Sequence, residues 1–283
     1  MTPPGEESMR PPPEYHRPST LDEALHLLSR KDRHSVVISG RSRPVPNRRE
    51  GGEVIVDVSA LPLSYVEGGS SRLRLGGMTT LQEIVDSPSV RCFASGTLPD
   101  AARSTAGSVL RNQLTLAETL LSGELSPDLA VLLLVLGAEV LIHRLGGSIS
   151  LPLADLYDDV RAVMEGSILA EVSVPAPEPM ARVCRCRLAR TTADRALLTV
   201  AAASTCSEGT FRSVQVAAAG IGLPPRRMSE AESSLEGRSA DAGSVSEALD
   251  ALAQFDIPEN DVAGSGYRNQ TLKVLIRRAV LGD

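Results

Sequence analysis

Few side chains in this sequence stand at spacings that do chemistry by themselves. The histidines His16, His26, His34 and His143 are scattered, with no partner at the separation of a zinc site or a catalytic triad. Ser122 and Ser126 lie near Glu124 and Asp128, but no adjacent histidine activates them, and loop polarity accounts for them. Cys184 and Cys186 sit at i, i+2, which puts both thiols on one face of a strand where a soft metal could be gripped. Two thiolates leave a tetrahedral site half built, so packing is the expected role of these two and of Cys92 and Cys206. The strongest charge signal is Arg41, Arg43, Arg48 and Arg49, with no acid among them. Guanidiniums so clustered can fork onto a phosphate; a solvated loop is the plainer reading in a chain whose positive charge is nearly all arginine.

Composition narrows the class. The chain has 283 residues with 42% hydrophobic and 23% charged side chains, which suits a globular protein of two modest domains and excludes a disordered or fibrous one. A net charge of −6, no Trp and seven Phe plus Tyr argue against nucleic acid, since neither a basic field nor stacking rings are on offer. The longest apolar stretch, Leu129 to Ala138, is too short for a membrane span. The N-terminal segment carries Pro3, Pro4, Glu6 and Glu7 where a signal peptide would have an apolar core, so a cytoplasmic location is expected, with reduced cysteines.

The elements that must position any site follow from periodicity. Residues 1–14 are expected to form a flexible arm. Ser19 or Thr20 caps a helix with Leu21, Ala24, Leu25 and Leu28 on one stripe, running to about Arg30. Val36 to Ile38 and Val54 to Val58 are β-branched runs that predict strands, and Leu73 and Leu75 alternate with arginines as in a half-buried strand. Thr79 or Thr80 caps a helix through Ile84. Ala101 to Leu110 reads as helical, and Arg111 to Leu120 has no clean period. Asp128 precedes an apolar segment stopped by Gly137; a strand at Glu139 to His143 and a turn at Gly146 and Gly147 follow. Glu171 to Val174 predicts a strand, and the proline-rich stretch Pro175 to Pro179 a stiff connector. Beyond it come a strand at Arg182 to Leu188, a helix or strand at Ala196 to Ala203, a strand at Phe211 to Ala219, a short exposed helix within Arg226 to Ser246, helical spacing near Ala248 to Phe255, and a helix from Asn269 to Leu281.

Taken in order, several strings carry a family likeness. They are Tyr15 to Ala24 (Tyr-His-Arg-Pro-Ser-Thr-Leu-Asp-Glu-Ala), Leu75 to Ile84 (Leu-Gly-Gly-Met-Thr-Thr-Leu-Gln-Glu-Ile), Arg111-Asn112, Leu136 to Val140, Tyr267-Arg268 and Arg277 to Ala279. From Tyr15 to Leu281 the chain resembles the FAD-binding medium subunit of the molybdenum hydroxylases, the group of carbon monoxide dehydrogenase and xanthine dehydrogenase. The resemblance implies an α+β fold: a two-part flavin-binding domain of the molybdopterin dehydrogenase type over 15–174, with subdomains of about 15–58 and 59–174, then a smaller α+β domain over 175–283 with an antiparallel sheet and helices. It also implies FAD as cofactor, a molybdenum-cofactor large subunit and a [2Fe-2S] small subunit as partners, and no catalytic acid or base from this chain.

In that family two glycine-rich loops, Ala-Gly-Gly-Thr and Ala-Thr-Ile-Gly-Gly-Asn, let backbone N–H groups approach the FAD pyrophosphate. The corresponding residues here are Ser39, Gly40, Arg41 and Ser42, and then Thr115, Leu116, Ala117, Glu118 and Thr119 after Leu114. Three of the four signature glycines are replaced, so the cofactor site is degenerate. Glu118 brings a carboxylate to the place of a phosphate, and Arg41 is expected to pair with it across the slot. Asp128 matches the family's acid after the second loop, Thr80 a position near the cofactor that a helix cap also explains, and Arg187 a basic position beside the flavin where the family usually has Lys. Arg190 and Asp194 complete that spacing. Two functions are thus implied: a flavoprotein subunit passing electrons from iron–sulfur clusters to an external acceptor, or a flavin-free homologue serving assembly or binding another anionic ligand.

Overall fold

A computed structural model describes residues 14–30, 32, 34–39, 53–122, 127–191, 194, 196–222, 224–259 and 263–282. The expected arm lies outside them except for Glu14, which opens the first strand. Strands β1 (Glu14–His16), β2 (His34–Ile38) and β3 (Glu53–Asp57) form a parallel sheet in the order β1-β3-β2. Parallel neighbours need a crossover, and helix α1 (Leu21–Leu28) supplies one between β1 and β2. Of the two candidate caps Thr20 is the one used: its hydroxyl accepts from the Glu23 amide. Ala24, Leu25 and Leu28 of α1 bury against Val54, Val56, Val58 and Leu61.

The next sheet is antiparallel, in the order β4-β5-β8-β6-β7. Its strands are β4 (Val66–Gly68), β5 (Arg72–Gly76), β6 (Glu139–Arg144), β7 (Gly147–Pro152) and β8 (Ser167–Pro175). Between β5 and β6 the chain makes α2 (Leu81–Asp86), α3 (Pro88–Cys92), α4 (Thr97–Thr105), α5 (Ser108–Arg111), α6 (Leu116–Ser122) and α7 (Pro127–Val135). Helices α8 (Leu153–Asp158) and α9 (Val160–Met164) link β7 to β8. Every residue of α7 from Asp128 to Val135 is buried, because the helix lies against α4 on one side and the third sheet on another. Its apolar character on all faces follows from that position.

The third sheet is antiparallel, in the order β12-β11-β10-β9, with β9 (Arg182–Leu188), β10 (Leu198–Ser207), β11 (Thr210–Ala219) and β12 (Arg226–Arg227). Helices α10 (Ser229–Leu235), α11 (Ala242–Asp250) and α12 (Ser265–Leu281) cover one face. Strand alternation sorts the residues cleanly. Val200, Ala202, Val216 and Ala218 join the core under these helices, while Ala201, Ala203, Ala217 and Ala219 belong to the core around α7. The small alanine side chains let a fully apolar helix lie close on the sheet.

Several expectations are corrected. The helix expected over Ala101 to Leu110 ends at Thr105, and Ser108–Arg111 is a separate turn of helix. The aperiodic stretch before Leu120 contains α6. The acid-rich span after β12 holds two helices that bury Ala231, Leu235 and Val245 rather than one exposed helix, and the helical spacing near Phe255 ends at Asp250. The segment at 196–203 is a strand. Cys186 is buried and Cys184, half-buried, packs against the same core, whereas Cys92 and Cys206 are exposed and have no such packing role.

Candidate cofactor site

The structure brings the two expected loops together at one point: Ser39 Oγ and Thr115 Oγ1 are 3.0 Å apart across 76 residues. Gly40, Arg41 and Ser42, with them the expected Arg41–Glu118 pair, lie outside the described residues, as do Arg43, Arg48 and Arg49. The second loop is described in full. Thr115 pairs with Thr80 in a short antiparallel bridge, and the first turn of α6 is then tied to the chain at 77–79. The Leu116 amide donates to Thr79 O at 2.9 Å and the Ala117 amide to Gly77 O at 2.9 Å. The Glu118 amide donates to Thr115 Oγ1 and the Thr119 amide to Thr115 O. The Thr119 hydroxyl also donates to Thr115 O. All four amides of the turn are therefore engaged inside the protein, and Ala117 and Glu118 are buried.

Thr80 serves as a helix cap. Its hydroxyl accepts from the Glu83 amide while the Glu83 carboxylate accepts from the Thr80 amide at 2.7 Å, a reciprocal capping box that starts α2. Thr79 is fully buried; its hydroxyl donates to Tyr65 O and accepts from the Tyr65 amide.

At the other end of the site Asp128 and Arg187 meet, together with a third residue, Arg185, that the sequence expectations did not include. Arg185 and Arg187 alternate on β9 and point toward α7, whereas Cys184 and Cys186 point toward α12. Asp128 Oδ1 accepts from Arg185 Nη1 at 2.5 Å and from Thr199 Oγ1 at 3.2 Å, and Oδ2 from Arg187 Nε at 3.4 Å. The Asp128 side chain is 3% exposed and the two arginines 17% and 15%. Arg187 further donates to Thr191 O and Asp194 O, and Arg185 to Ser104 Oγ. Arg190 reaches Asp194 at 3.6 Å but is almost fully exposed. Arg185 was legible in principle: it stands two residues before Arg187 on a predicted strand, hence on the same face.

A cleft of about 620 Å³ adjoins both loops, lined by Val36, Ser39, Met78, Ala117, Gly166 and Leu169 among others. A second buried charge lies deeper in the antiparallel sheet: Glu171 accepts from Tyr65 Oη at 2.6 Å and from Arg74 at 2.6 and 3.0 Å. Burial pushes the Glu171 carboxyl up, but the Arg74 and Tyr65 hydrogen bonds outweigh it and the net position is below the ordinary value. On β9 a hydrogen bond from Cys186 lowers the Cys184 thiol to about 6, against its partial burial, and pushes the Cys186 thiol up. Among the described residues no three His, Cys, Asp or Glu side chains gather as metal ligands, and no helix is long and apolar enough to cross a membrane.

Comparison with known proteins decides the family. Residues 8–177 match the model of the FAD binding domain in molybdopterin dehydrogenase, and residues 186–282 that of the CO dehydrogenase flavoprotein C-terminal domain. The chain belongs to this FAD-binding medium-subunit family. Among its relatives, the nicotine 6-hydroxylase medium subunit of Paenarthrobacter nicotinovorans is 26% identical over 94% of this chain and 95% of that protein. The carbon monoxide dehydrogenase medium chain of Hydrogenophaga pseudoflava is 24% identical with the same coverage. Carbon monoxide dehydrogenase from Hydrogenophaga pseudoflava superposes with a TM-score of 0.82 over 96% of this chain and 97% of that one, at 23% identity, which speaks to the fold. Quinoline 2-oxidoreductase from Pseudomonas putida 86 does so with a TM-score of 0.80 at 21% identity.

For this family member the fit to FAD can be tested on the second loop. A pyrophosphate held there in the family's manner needs amide hydrogens pointing at it and no side chain between. The loop instead donates its amides to Thr79, Gly77 and Thr115, and carries a methyl group and a carboxylate-bearing side chain at the two glycine positions. On this described loop, then, the amides and side chains are not arranged as the family's phosphate cradle requires.

Proposed function

We propose that this chain serves as the medium subunit of a molybdopterin-dependent dehydrogenase, beside a molybdenum-cofactor large subunit and a [2Fe-2S] small subunit. The observation that carries the reading is that both family segments follow one another along nearly the whole chain, with relatives named medium subunit or medium chain aligned end to end. The junction between the segments supports it further. Asp128 at the start of α7 and Arg187 on β9, 59 residues apart, come together at that junction.

Electron delivery from iron–sulfur clusters to an external acceptor would use FAD on this subunit, whereas the amides of the second loop are engaged within the protein. The role derived from this chain's own residues is accordingly structural: α7 and the Asp128–Arg185–Arg187 cluster hold the third sheet on the flavin-type unit and fix the surface presented to partners.

Co-expression with a molybdenum-cofactor large subunit and a [2Fe-2S] small subunit of the same source tests the proposal. A stable complex of the three chains in equal amounts, seen by size exclusion and native mass measurement, is the expected result. A full-length, folded chain that joins neither partner would refute it.

A further inference from the structure

We infer that this subunit holds no FAD, because the described groups of the second loop and of the Asp128 cluster are engaged with the protein's own atoms. The inference rests on the chain being a medium subunit, and the experiment below separates the two.

At the phosphate end, the amides of residues 116–119 all donate internally, and two of those bonds, to Thr79 O and Gly77 O, are tertiary contacts that set α6 on the chain before α2. Turning these amides toward a ligand would strip two buried carbonyls of their donors as well. Ala117 and Glu118 are buried in that turn, so the space left by the family's glycines is filled by side chains. The Ser39 and Thr115 hydroxyls, one from each loop, hydrogen-bond to each other at 3.0 Å.

The end under the third sheet gives an independent observation. Both oxygens of Asp128 are taken: Oδ1 by Arg185 and Thr199, Oδ2 by Arg187. Nη1 and Nη2 of Arg187 each donate as well, to the carbonyls of Thr191 and Asp194. An acid and a base that the resemblance assigns to a cofactor thus form a buried ion-pair cluster with an added arginine. Buried ion pairs of this kind are costly to open, since each partner left behind is an unpaired charge.

The test is the flavin content of the full complex. The three subunits are co-produced in a host supplied with riboflavin, and FAD released by acid is quantified against iron and molybdenum. The expected result is less than about a tenth of an FAD per medium subunit in a complex with its metals in place. About one FAD per chain overturns the inference while leaving the medium-subunit reading intact. Failure of the complex to form counts against that reading alone; fluorescence titration of FAD into the full chain then still decides the inference, saturation at micromolar FAD being the overturning result. A variant with Arg41→Gly, Ala117→Gly and Glu118→Gly returns all three glycines. If its circular dichroism matches the parent, it should bind FAD at least about tenfold more tightly. Equal binding by the two chains would show that the filled loops are not what excludes the cofactor.

Discussion

Two glycine stations of this fold have had opposite histories. At the end of β5, Gly76 and Gly77 are kept: a Cβ on Gly76 would lie 2.1 Å from Leu63 O and 2.9 Å from Tyr65 Cδ1, and one on Gly77 would lie 2.2 Å from Leu169 O. Backbone closes in on both positions, and no rotamer change can relieve the clash. On the first turn of α6, positions 117 and 118 carry Ala and Glu where the family has glycine, and the helical backbone there does not require glycine. The glycines at 76 and 77 are required by the packing of the chain itself, whereas the turn at 117–118 folds with side chains in place.

The strongest way to break this comparison is Asp128→Asn. If the acid serves structure, its loss strands two half-buried guanidiniums and should lower stability by about 2–4 kcal/mol in urea unfolding. A change below about 1 kcal/mol would mean that the acid is kept for a ligand. Next is Gly77→Ala, expected to cost about 3 kcal/mol through overpacking against the Leu169 carbonyl, set beside Ala117→Gly, expected to cost no more than about 1 kcal/mol through helix propensity. Equal costs would erase the distinction between the two stations.

Glu171 sharpens the comparison as a buried acid whose only partners on view are structural. Glu171→Gln should cost about 2 kcal/mol at pH 7, the scale of a hydrogen bond to a charged group. Because its folded pKa lies below the ordinary 4.5, its contribution is fully present above pH 4.5 and is lost as pH falls through the depressed folded value. Unfolding measured between pH 3 and pH 7 (about the span in which carboxylates titrate) should show that dependence weakened in the variant; an unchanged slope would count against the pairing. The smallest effect is expected at Thr80→Ala, about 1 kcal/mol for a lost N-cap, with no loss of complex formation in co-purification.

Local rules made much of the fold legible. The stripe at Leu21, Ala24, Leu25 and Leu28, the caps at Thr20 and Thr80, the alternation in β9 and the stop at Gly137 all act within a few residues and are found where expected. What escaped was set by distant partners. Helix α6 has no period to read because its first turn is fastened by carbonyls at 77 and 79. The break between α3 and α4 runs through left-handed Ala94 and Ser95, residue types that do not announce that conformation. Within the site, the replaced glycines and the Asp128 and Arg187 positions were visible in the sequence. Arg185 shares a strand face with Arg187, and that periodicity was the one signal in the sequence for its part in the cluster.

The sequence by itself determined the family, the kinds of elements and their order, and the loss of three cofactor glycines, since periodicity, capping and residue identity are local properties. Only the tertiary structure decided that the turn at 116–119 gives its amides to neighbouring carbonyls, that Gly76 and Gly77 cannot carry a side chain, and that Asp128 is held between two arginines of another sheet. Those outcomes depend on which atoms a packed chain brings within hydrogen-bond distance, and that proximity is fixed by register and packing across many residues.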